Sequence, residues 1–352
     1  MRTAEPLDVT LPIPIIVVSF RNPDDLLECL AGVAAMRADP AFDVYVCENG
    51  GPAAFETLCQ RLDASTTLLA AADNPAPCDS SAFVQTRGWR FAARDSRLFI
   101  GLSPDNSGYG GGINTWLRPL LAAGDWPGVF VLNPDASPTP DALFHLKSYA
   151  ESKGRGMVSG RIVWTDTPQF IQTRGLRWNP IKASNISIGR NAPADEMPDI
   201  DLVERTIDST SGAALYATRA CIDRIGLMTE HYFLYYEDID WGMRAKAACG
   251  LGYAFDAVVY HKGGTTIGGG SRKTASPLST FLEFRNRILF VAALKPRWYL
   301  WTVAISLVRA MEYAAVGRPG ITLVALRGVV EGVLGRSGRP DHILASLMRP
   351  RR

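Results

Sequence analysis

The segment Ile13–Phe20 constrains the fold of this chain most, because it reads IPIIVVSF, a nearly continuous apolar run rich in β-branched residues. Such a run predicts a strand that is buried on both faces, as in a parallel sheet. Helical spacing of leucines begins after Asn22, and a second strand, Asp43–Cys47, follows it. A helix over Pro52–Leu62 and a short strand over Thr66–Ala70 continue the alternation. This order predicts an α/β fold with a doubly wound, mainly parallel sheet whose ligands bind at the carboxyl ends of the strands.

Composition limits the classes of protein that the chain can represent. Its 352 residues are 47% apolar and 20% charged, which is typical of a globular protein with a large core. The net charge of +2 gives no general basic field, so we expect no nucleic-acid partner. The six cysteines form no CxxC pair, which favours small core residues in a reduced compartment over a disulfide framework or a zinc site.

Neither end of the sequence carries a segment that would cross a membrane. The first ten residues, MRTAEPLDVT, contain no apolar signal segment. The longest apolar run near the carboxyl end, Trp298–Leu307, is shorter than the ~20 residues that span a bilayer. We therefore expect a cytoplasmic protein.

Polar residues follow three of the predicted strands directly. Glu48 follows the strand Asp43–Cys47, Asp135 follows the apolar run VFVL, and His261 follows the last predicted strand. Because ligands of such a sheet bind at the strand ends, we expect these side chains to contribute to one site. Asp135 and His261 are of the types that bind a divalent cation, and Glu48 can accept a hydrogen bond from a pyrimidine N–H. The alternative for Asp135 is an ordinary turn or helix-capping residue.

The segment Phe233–Asp240 reads FLYYEDID and places Glu237, Asp238 and Asp240 just before a predicted helix, Trp241–Cys249. Acids at a helix amino terminus are stabilised by its free N–H groups and dipole, which is one explanation. The other is a catalytic carboxylate that accepts a proton. Mutual repulsion of the three acids would raise at least one pKa, whereas a metal ion or Arg244 would lower it.

A glycine-rich stretch, NSGYGGGIN, covers residues 106–114. Four glycines in five residues predict a loop whose backbone approaches a ligand closely, with Gly108 and Gly111 as contacts. A helix predicted from Asn114 to Ala123 would then direct its amino terminus at a phosphate. The stretch is not a GxGxxG motif in a strand–turn–helix setting, which argues against a dehydrogenase.

Glycosyl transfer from a nucleotide sugar needs a cation to neutralise the diphosphate and a carboxylate to deprotonate the acceptor hydroxyl. The chain offers both. It resembles the family 2 glycosyltransferases of GT-A fold, especially the rhamnosyltransferase-like and galactofuranosyltransferase-like branch of bacterial surface-polysaccharide enzymes. The resemblance rests on eight segments in the same order: VVSFRN (17–22), CENGG (47–51), NSGYGGGIN (106–114), VLNPDASPTPDAL (131–143), SGAALYATR (211–219), HYFLYYEDIDWGMRAKAACG (231–250), YHKGG (260–264) and LEFRNRILF (282–290).

The resemblance implies a role for several residues. Asp238 is the base of an inverting transfer, with Glu237 beside it. Asp135 matches the last acid of the metal-binding DxD motif, with Asn133 in place of the first acid, and His261 can complete a site for Mg²⁺ or Mn²⁺. The residues implied in binding the nucleotide sugar are Ser19, Arg21, Glu48, Asn106, Gly108, Gly111, Asn133 and Arg285. Of these, Glu48 would contact the pyrimidine, and Arg285 the diphosphate or the acceptor.

The resemblance also implies a glycosyltransferase domain over residues 1–290 and a helical, basic region over 291–352. From Arg309 to Arg352 the chain has eight arginines against three acids. Aromatic residues and arginines around apolar helices suit a peripheral contact with the inner face of the cytoplasmic membrane. The alternative is packing against the core or against another copy of the chain in a homo-oligomer.

For the donor, the branch implies dTDP-rhamnose first, ahead of UDP-galactose or UDP-hexosamine, with a growing cell-surface polysaccharide or lipid-linked glycan as acceptor. The segments that would decide, 73–95 and 165–208, are predicted as an inserted loop and as loops with short strands. A nucleotidyltransferase is disfavoured, because SFRNPDD follows the first strand instead of a glycine-rich basic loop. A non-catalytic sugar-binding or scaffold subunit of the same fold is the remaining alternative.

Overall fold

The computed structural model describes residues 11–72, 75–263 and 274–347, with side chains of the last helix described to residue 344. Several features of the sequence lie outside these ranges. They are the first ten residues, part of the 73–95 insertion, Gly264 of the YHKGG segment, and Arg349, Arg351 and Arg352.

The strands lie between residues 13 and 261 and alternate with helices. They are β1 (Ile13–Ser19), β2 (Phe42–Glu48), β3 (Leu69–Ala71), β4 (Gln85–Phe91), β5 (Arg97–Leu102), β6 (Gly128–Leu132), β7 (Ala136–Pro138), β8 (Met157–Trp164), β9 (Ile171–Thr173), β10 (Leu176–Asn179), β11 (Ser184–Ser187), β12 (Ala214–Thr218) and β13 (Leu251–His261).

The helices are α1 (Pro23–Ala34), α2 (Pro52–Asp63), α3 (Gly108–Ala123), α4 (Ala142–Lys153), α5 (Ile200–Thr206), α6 (Arg219–Ile225), α7 (Glu237–Ala248), α8 (Pro277–Leu294), α9 (Tyr299–Ala315), α10 (Pro319–Val333) and α11 (Asp341–Leu347). Single 3₁₀ turns cover Glu230–Tyr232 and Pro296–Trp298.

The main sheet has the strand order β3-β4-β5-β2-β1-β6-β12-β8-β13-β7, with β9 paired to β8. Strands β5, β2, β1 and β6 are parallel neighbours, and β8 and β13 form a second parallel pair. Antiparallel β12 joins the two parallel groups, and β3, β4 and β7 add antiparallel edges. The predicted α/β class with parallel central strands flanked by helices is confirmed.

The burial of β1 explains why its sequence is apolar at nearly every position. All seven residues of the strand are buried. Ile15 and Val17 pack in one hydrophobic cluster, and Ile16 and Val18 pack in another. Alternate side chains of a strand point to opposite faces, so both faces of the sheet are covered by helices at this point.

Two local predictions are wrong. The insertion 73–95 is not only a loop, because β4 pairs antiparallel with β5 and carries the buried Trp89. The glycine-rich stretch is not a loop before a helix at Asn114, because α3 begins at Gly108 and holds four glycines in its first turns. Here the glycines give space for packing: a Cβ on Gly112 would lie 2.9 Å from the Val18 side chain.

The carboxyl-terminal helices are closely joined to the rest of the chain. Helix α8 runs without a break across the predicted division between residues 290 and 291, so that division stays a prediction. Helix α10 packs on both α8 and α9. Within the described ranges, no helix combines the length and the apolar character that crossing a membrane requires.

Candidate active site

A cavity of about 350 Å³ opens at the carboxyl ends of the central parallel strands. Residues at the ends of β1, β2, β6 and β13 line one side of it, and the start of α3 lies beside them. The segment before α7 and two leucines of α8 and α11 line the other side. The described lining residues are Val18, Phe20, Asn49, Asn106, Gly108, Tyr109, Asn133, Pro134, Asp135, Phe233, Leu234, Tyr235, His261, Leu278 and Leu344.

The two predicted metal ligands meet in this cavity. The Nε2 atom of His261 lies 3.1 Å from Oδ1 of Asp135 and 3.3 Å from Nδ2 of Asn133. On the other side of the ring, Nδ1 lies 2.6 Å from Oε1 of Gln172. With Gln172 accepting, Nδ1 carries the proton, and Nε2 directs its lone pair at the Asp135 carboxylate.

That arrangement fits a divalent cation, because two electron-pair donors face each other and a cation satisfies both. The hydrogen bond from the distal ring nitrogen of His261 to Gln172 has the pattern that orients metal-binding histidines. In the described part of the chain, no cluster of three or more His, Cys, Asp or Glu side chains could form a complete cage. The residues present therefore suit an ion whose coordination is shared with the substrate's phosphates, as is common for Mg²⁺.

Three other predicted residues lie at the ends of β1 and β2 but hold the backbone there. Oε1 of the buried Glu48 accepts hydrogen bonds from the N–H groups of Gly50 (2.6 Å) and Arg21 (3.3 Å). The Nε of Arg21 donates to the Gly50 carbonyl, and the Ser19 hydroxyl bonds Asn22. Among the described lining residues, the ends of these strands are represented by Val18, Phe20 and Asn49 instead.

Asn49 is a site residue that the sequence analysis missed. Its Nδ2 donates to the Gly108 carbonyl at 2.9 Å, and its Oδ1 accepts from the Ser107 hydroxyl at 3.3 Å. It therefore joins the end of β2 to the start of α3. Nearby, Oδ1 of Asn106 accepts from the Gly108 N–H at 3.0 Å. The available signal was its position directly after Glu48, within the CENGG segment.

The two acids at the start of α7, Glu237 and Asp238, have different surroundings that shift their pKa values differently. Oδ2 of Asp238 accepts from the Gly212 N–H at 2.9 Å, and Oδ1 accepts from the Ile239 N–H at 2.8 Å. Burial raises the pKa of Asp238, and these two N–H groups oppose the rise. Burial and then the adjacent Asp238 raise the pKa of Glu237 to about 8. The proton of the pair therefore resides on Glu237 near neutral pH, and Asp238 is the ionised member.

Tyr109 connects the cavity to this acidic pair. Its ring lines the cavity, and its hydroxyl donates to the Gly212 carbonyl at 2.6 Å. Gly212 in turn donates its N–H to Asp238. Burial raises the pKa of Tyr109 strongly, with smaller contributions from Asp238, Glu237 and Asp135, so the phenol stays protonated as a donor. Neither acid of the pair is among the described lining residues, whereas Tyr109 lines the cavity and is linked to Asp238 through Gly212.

Asp240 and Arg285 have structural partners. Asp240 accepts from the hydroxyls of Thr229 and Tyr232 and pairs with Arg244, which fits the helix-start role expected for it. Arg285 is 1% exposed and donates to the main-chain carbonyls of Tyr232 and Gly338. Its predicted contact with the diphosphate or the acceptor stays a prediction. Gly111 lies in the first turns of α3 with Ser107 as its nearest neighbour.

Comparison with known proteins gives one related sequence and a shared fold. No protein-family profile matches the chain. It is 24% identical over 278 residues, which cover 75% of this chain and 84% of the relative, to the low-salt glycan biosynthesis hexosyltransferase Agl10 of Haloferax volcanii. That relative is archaeal, so the bacterial character implied by the resemblance stays a prediction.

Among solved structures, the chain is similar to the mannosyltransferase PcManGT of Pyrobaculum calidifontis in complex with GDP-Man and Mn²⁺. The TM-score is 0.50 at 13% identity, covering 94% of this chain and 91% of that one. It also aligns with S. aureus TarS 1–349 at a TM-score of 0.48 and 12% identity, covering 95% and 83%. The GT-A fold predicted from the sequence is confirmed, and the hexosyltransferase relative supports a glycosyltransferase.

Proposed function

We propose that the chain is an inverting, metal-dependent glycosyltransferase that moves a sugar from a nucleoside diphosphate to a hydroxyl of a glycan acceptor. The observation that carries this proposal is the convergence of Asp135 and His261, 3.1 Å apart, in a cavity at the carboxyl ends of the parallel strands. The hexosyltransferase relative supports the reaction class. We propose Mg²⁺ or Mn²⁺ as the cation, and the Mn²⁺ in the mannosyltransferase complex supports that choice.

Asp135 and His261 would hold the cation together with Asn133. When bound, the cation neutralises charge that develops on the departing diphosphate. Asn49, Asn106 and the start of α3 form the wall beside this centre, where the nucleotide sugar would lie. Phe20 extends the wall at the end of β1.

The acceptor hydroxyl attacks the anomeric carbon from the side opposite the diphosphate, which inverts the configuration. A new C–O bond forms as the bond to the diphosphate breaks, and the diphosphate keeps the electron pair. The acceptor proton passes to Asp238, which is ionised while Glu237 holds its own proton. Because Asp238 is not among the described residues that line the cavity, either the side chains beside it must move or a water must relay the proton.

The test compares two acids of the same helix. Asp238→Asn should lower kcat by about 10² to 10⁴ while binding of the nucleotide sugar is kept, because general-base catalysis contributes that much. Asp240→Asn is the matched control, since it loses structural hydrogen bonds but no proton acceptor at the site. Near-normal turnover by Asp238→Asn would remove Asp238 as the base. Absence of both transfer and nucleotide-sugar hydrolysis in the unchanged protein would favour a non-catalytic subunit.

For the donor, we propose dTDP-rhamnose as the first candidate on the sequence resemblance, with UDP-galactose, UDP-hexosamines and GDP-mannose as competitors. A thermal-shift panel with Mn²⁺ present separates them, because a ligand that binds the folded state raises the melting temperature by mass action. The largest shift identifies the donor. A larger shift with any competitor would overturn dTDP-rhamnose.

We propose that the protein is cytoplasmic and contacts the inner face of the membrane through α9 and α10. Leu300, Leu307 and Met311 recur on one exposed face of α9, and Leu323 and Val330 on an exposed face of α10. A second copy of the chain is the alternative partner for this surface. Exposed arginines accompany these faces, which favours anionic lipid headgroups: Arg297, Arg327 and Arg336.

Flotation with anionic and zwitterionic vesicles tests this contact. Leu300→Asp and Leu323→Asp together should abolish binding to anionic vesicles. Val84→Asp, at an exposed apolar residue beside β4 on the opposite side of the sheet order, is the control. A dimer that dissociates in the double variant, without vesicle binding by the unchanged protein, would show that the surface joins two copies instead.

A further inference from the structure

The segment Phe233–Tyr236, here called the strap, has a strained backbone directly before the acidic pair. Phe233 has φ 67°, Tyr235 has φ 69° and Tyr236 has φ 78°, all in the left-handed region. None of the three is a glycine, so each costs about 1–2 kcal/mol relative to an ordinary conformation. Such strain persists only where surrounding contacts determine the conformation. The strap therefore needs a structure that holds it.

Two adjacent residues of α8 provide that structure. The Nδ2 group of Asn286 lies 2.8 Å from the Leu234 carbonyl oxygen, 2.9 Å from that of Tyr232 and 3.1 Å from that of Tyr235, so its two N–H groups are shared among the three acceptors. Nη2 of Arg285 donates to the same Tyr232 carbonyl at 2.9 Å. Asn286 is 0% exposed, so its amide has no contact with water, and the hydrogen bonds to these carbonyls compensate for its burial.

Arg285 also ties the strap to the carboxyl-terminal segment. Its Nη1 donates to the Gly338 carbonyl at 2.8 Å, and the Gly338 N–H donates to the His231 carbonyl at 2.6 Å. Beyond this point, Leu344 of α11 lines the cavity. The last helices therefore contribute a wall of the cavity as well as an outer surface.

The opposite side of the strap faces the cavity. Phe233, Leu234 and Tyr235 all line it. The Phe233 carbonyl accepts from the Tyr109 N–H at 2.8 Å, which fixes the strap against the start of α3. The strap then leads directly into Glu237 and Asp238, so its shape sets where the acidic pair stands relative to the cavity.

We propose that Asn286, with Arg285, is a positioning residue that holds the strap in the conformation that forms the acceptor side of the cavity. This proposal rests on the proposed function, because it assigns the strap to the acceptor. The physical reason is that the Asn286 amide lies within hydrogen-bond distance of two strap carbonyls, those of Leu234 and Tyr235, and of the Tyr232 carbonyl directly before the strap. Without the amide, the Leu234 and Tyr235 carbonyls lose this donor, whereas Tyr232 keeps Arg285, and the left-handed residues can relax. The centre at Asp135 and His261, formed by strand ends, should keep its geometry.

Amide hydrogen exchange measures how well the backbone of the strap is protected, and it needs no ligand. Asn286→Leu, which has a similar shape but no donor, should speed exchange of peptides covering 231–238 at least tenfold relative to peptides covering β8. Asp43→Asn is the control, because it removes part of a buried ion pair with Arg97 near the start of β2 and should leave the strap protected. Unchanged strap exchange in Asn286→Leu would overturn the proposal. If Asn286→Leu fails to fold, Arg285→Lys is the second variant, and it should also speed exchange of the strap peptides, by a smaller factor.

Kinetics separates positioning from general destabilisation. With dTDP-rhamnose and GDP-mannose as donor probes and octyl glycosides as acceptors, Asn286→Leu should lower acceptor-dependent transfer at least tenfold. The KM of the donor and its slow hydrolysis without acceptor should change less than threefold, and Asn286→Gln should restore part of the transfer. Equal losses in transfer and hydrolysis would overturn the proposal. If the unchanged protein shows neither reaction, the proposed function fails, whereas the exchange result still decides what Asn286 does to the strap.

Discussion

Replacing Gly108 by alanine should disrupt the junction between α3 and the strap. Gly108 has φ 76°, and a Cβ built on it would lie 1.9 Å from the Phe233 carbonyl oxygen. Backbone cannot move aside as the end of a flexible side chain can. The strap must therefore shift, and the hydrogen bond from the Tyr109 N–H to the Phe233 carbonyl would be lost with it.

The expected loss of stability has two parts. The left-handed conformation costs a non-glycine residue about 1–2 kcal/mol. Leaving a buried carbonyl or N–H without its partner costs about 1–3 kcal/mol more. We therefore expect Gly108→Ala to lower the free energy of unfolding by about 2–5 kcal/mol, a large share of the ~5–15 kcal/mol that folded domains have.

Gly154→Ala is the matched control for this change. Gly154 ends α4 with φ 61° and ψ 37°, and a Cβ there would meet nothing within 4 Å. It therefore reports the cost of the left-handed backbone alone, about 1–2 kcal/mol. Urea unfolding followed by tryptophan fluorescence measures both variants. If Gly108→Ala lowers the unfolding free energy no more than Gly154→Ala does, the close approach of the strap to α3 is not what requires a glycine at position 108.

Two further changes test the electrostatics and the metal centre. Because the folded-state pKa of Glu237 is raised to about 8, its contribution to stability is complete below the ordinary carboxyl pKa and is lost as pH rises through about 8. The unfolding free energy of Glu237→Gln minus that of the unchanged protein should therefore increase between pH 5 and pH 9, by on the order of 4 kcal/mol. A pH-independent difference would contradict the raised pKa of this buried carboxyl. Gln172→Leu should weaken Mn²⁺-dependent nucleotide binding about 10- to 100-fold in a titration, because Gln172 orients His261 through a hydrogen bond. The control is Gln169→Leu, at an exposed glutamine, which should leave this binding unchanged. Equal Mn²⁺ affinities for the two variants would contradict that role.

The parts of the site that the sequence predicted lie at the ends of recognisable strands. Asp135 follows β6 and His261 ends β13, and the two meet because the sheet brings these strand ends to one edge. Strand periodicity and burial are local signals, so they can be read without a structure. The same logic pointed to Glu48, although its Oε1 serves the backbone of the neighbouring turn.

The residues that the sequence could not predict depend on long-range packing. Gln172 lies in the segment 165–208, whose short strands have no clear period, and its role follows only from its 2.6 Å contact with His261. The glycines of α3 indicated a loop by their intrinsic preference, but tertiary packing against Val18 and the strap places them in a helix. Asn286 meets carbonyls more than fifty residues earlier in the chain, which no local pattern encodes.

The acidic pair shows how the fold gives two neighbouring carboxyl groups different chemistry. From the sequence, repulsion between them predicted a raised pKa in one, without showing which. In the structure, Asp238 accepts two main-chain N–H groups, whereas among the described residues Oε2 of the buried Glu237 has no hydrogen-bond partner. Hydrogen bonds to a carboxylate favour its charged form, whereas burial and then the adjacent Asp238 charge favour the neutral form of Glu237. Glu237 thus keeps its proton and spares Asp238 a neighbouring negative charge. Asp238, whose own pKa is raised by burial, is then an ionised carboxylate that is more basic than one in water, and this is the property that deprotonation of an acceptor hydroxyl requires.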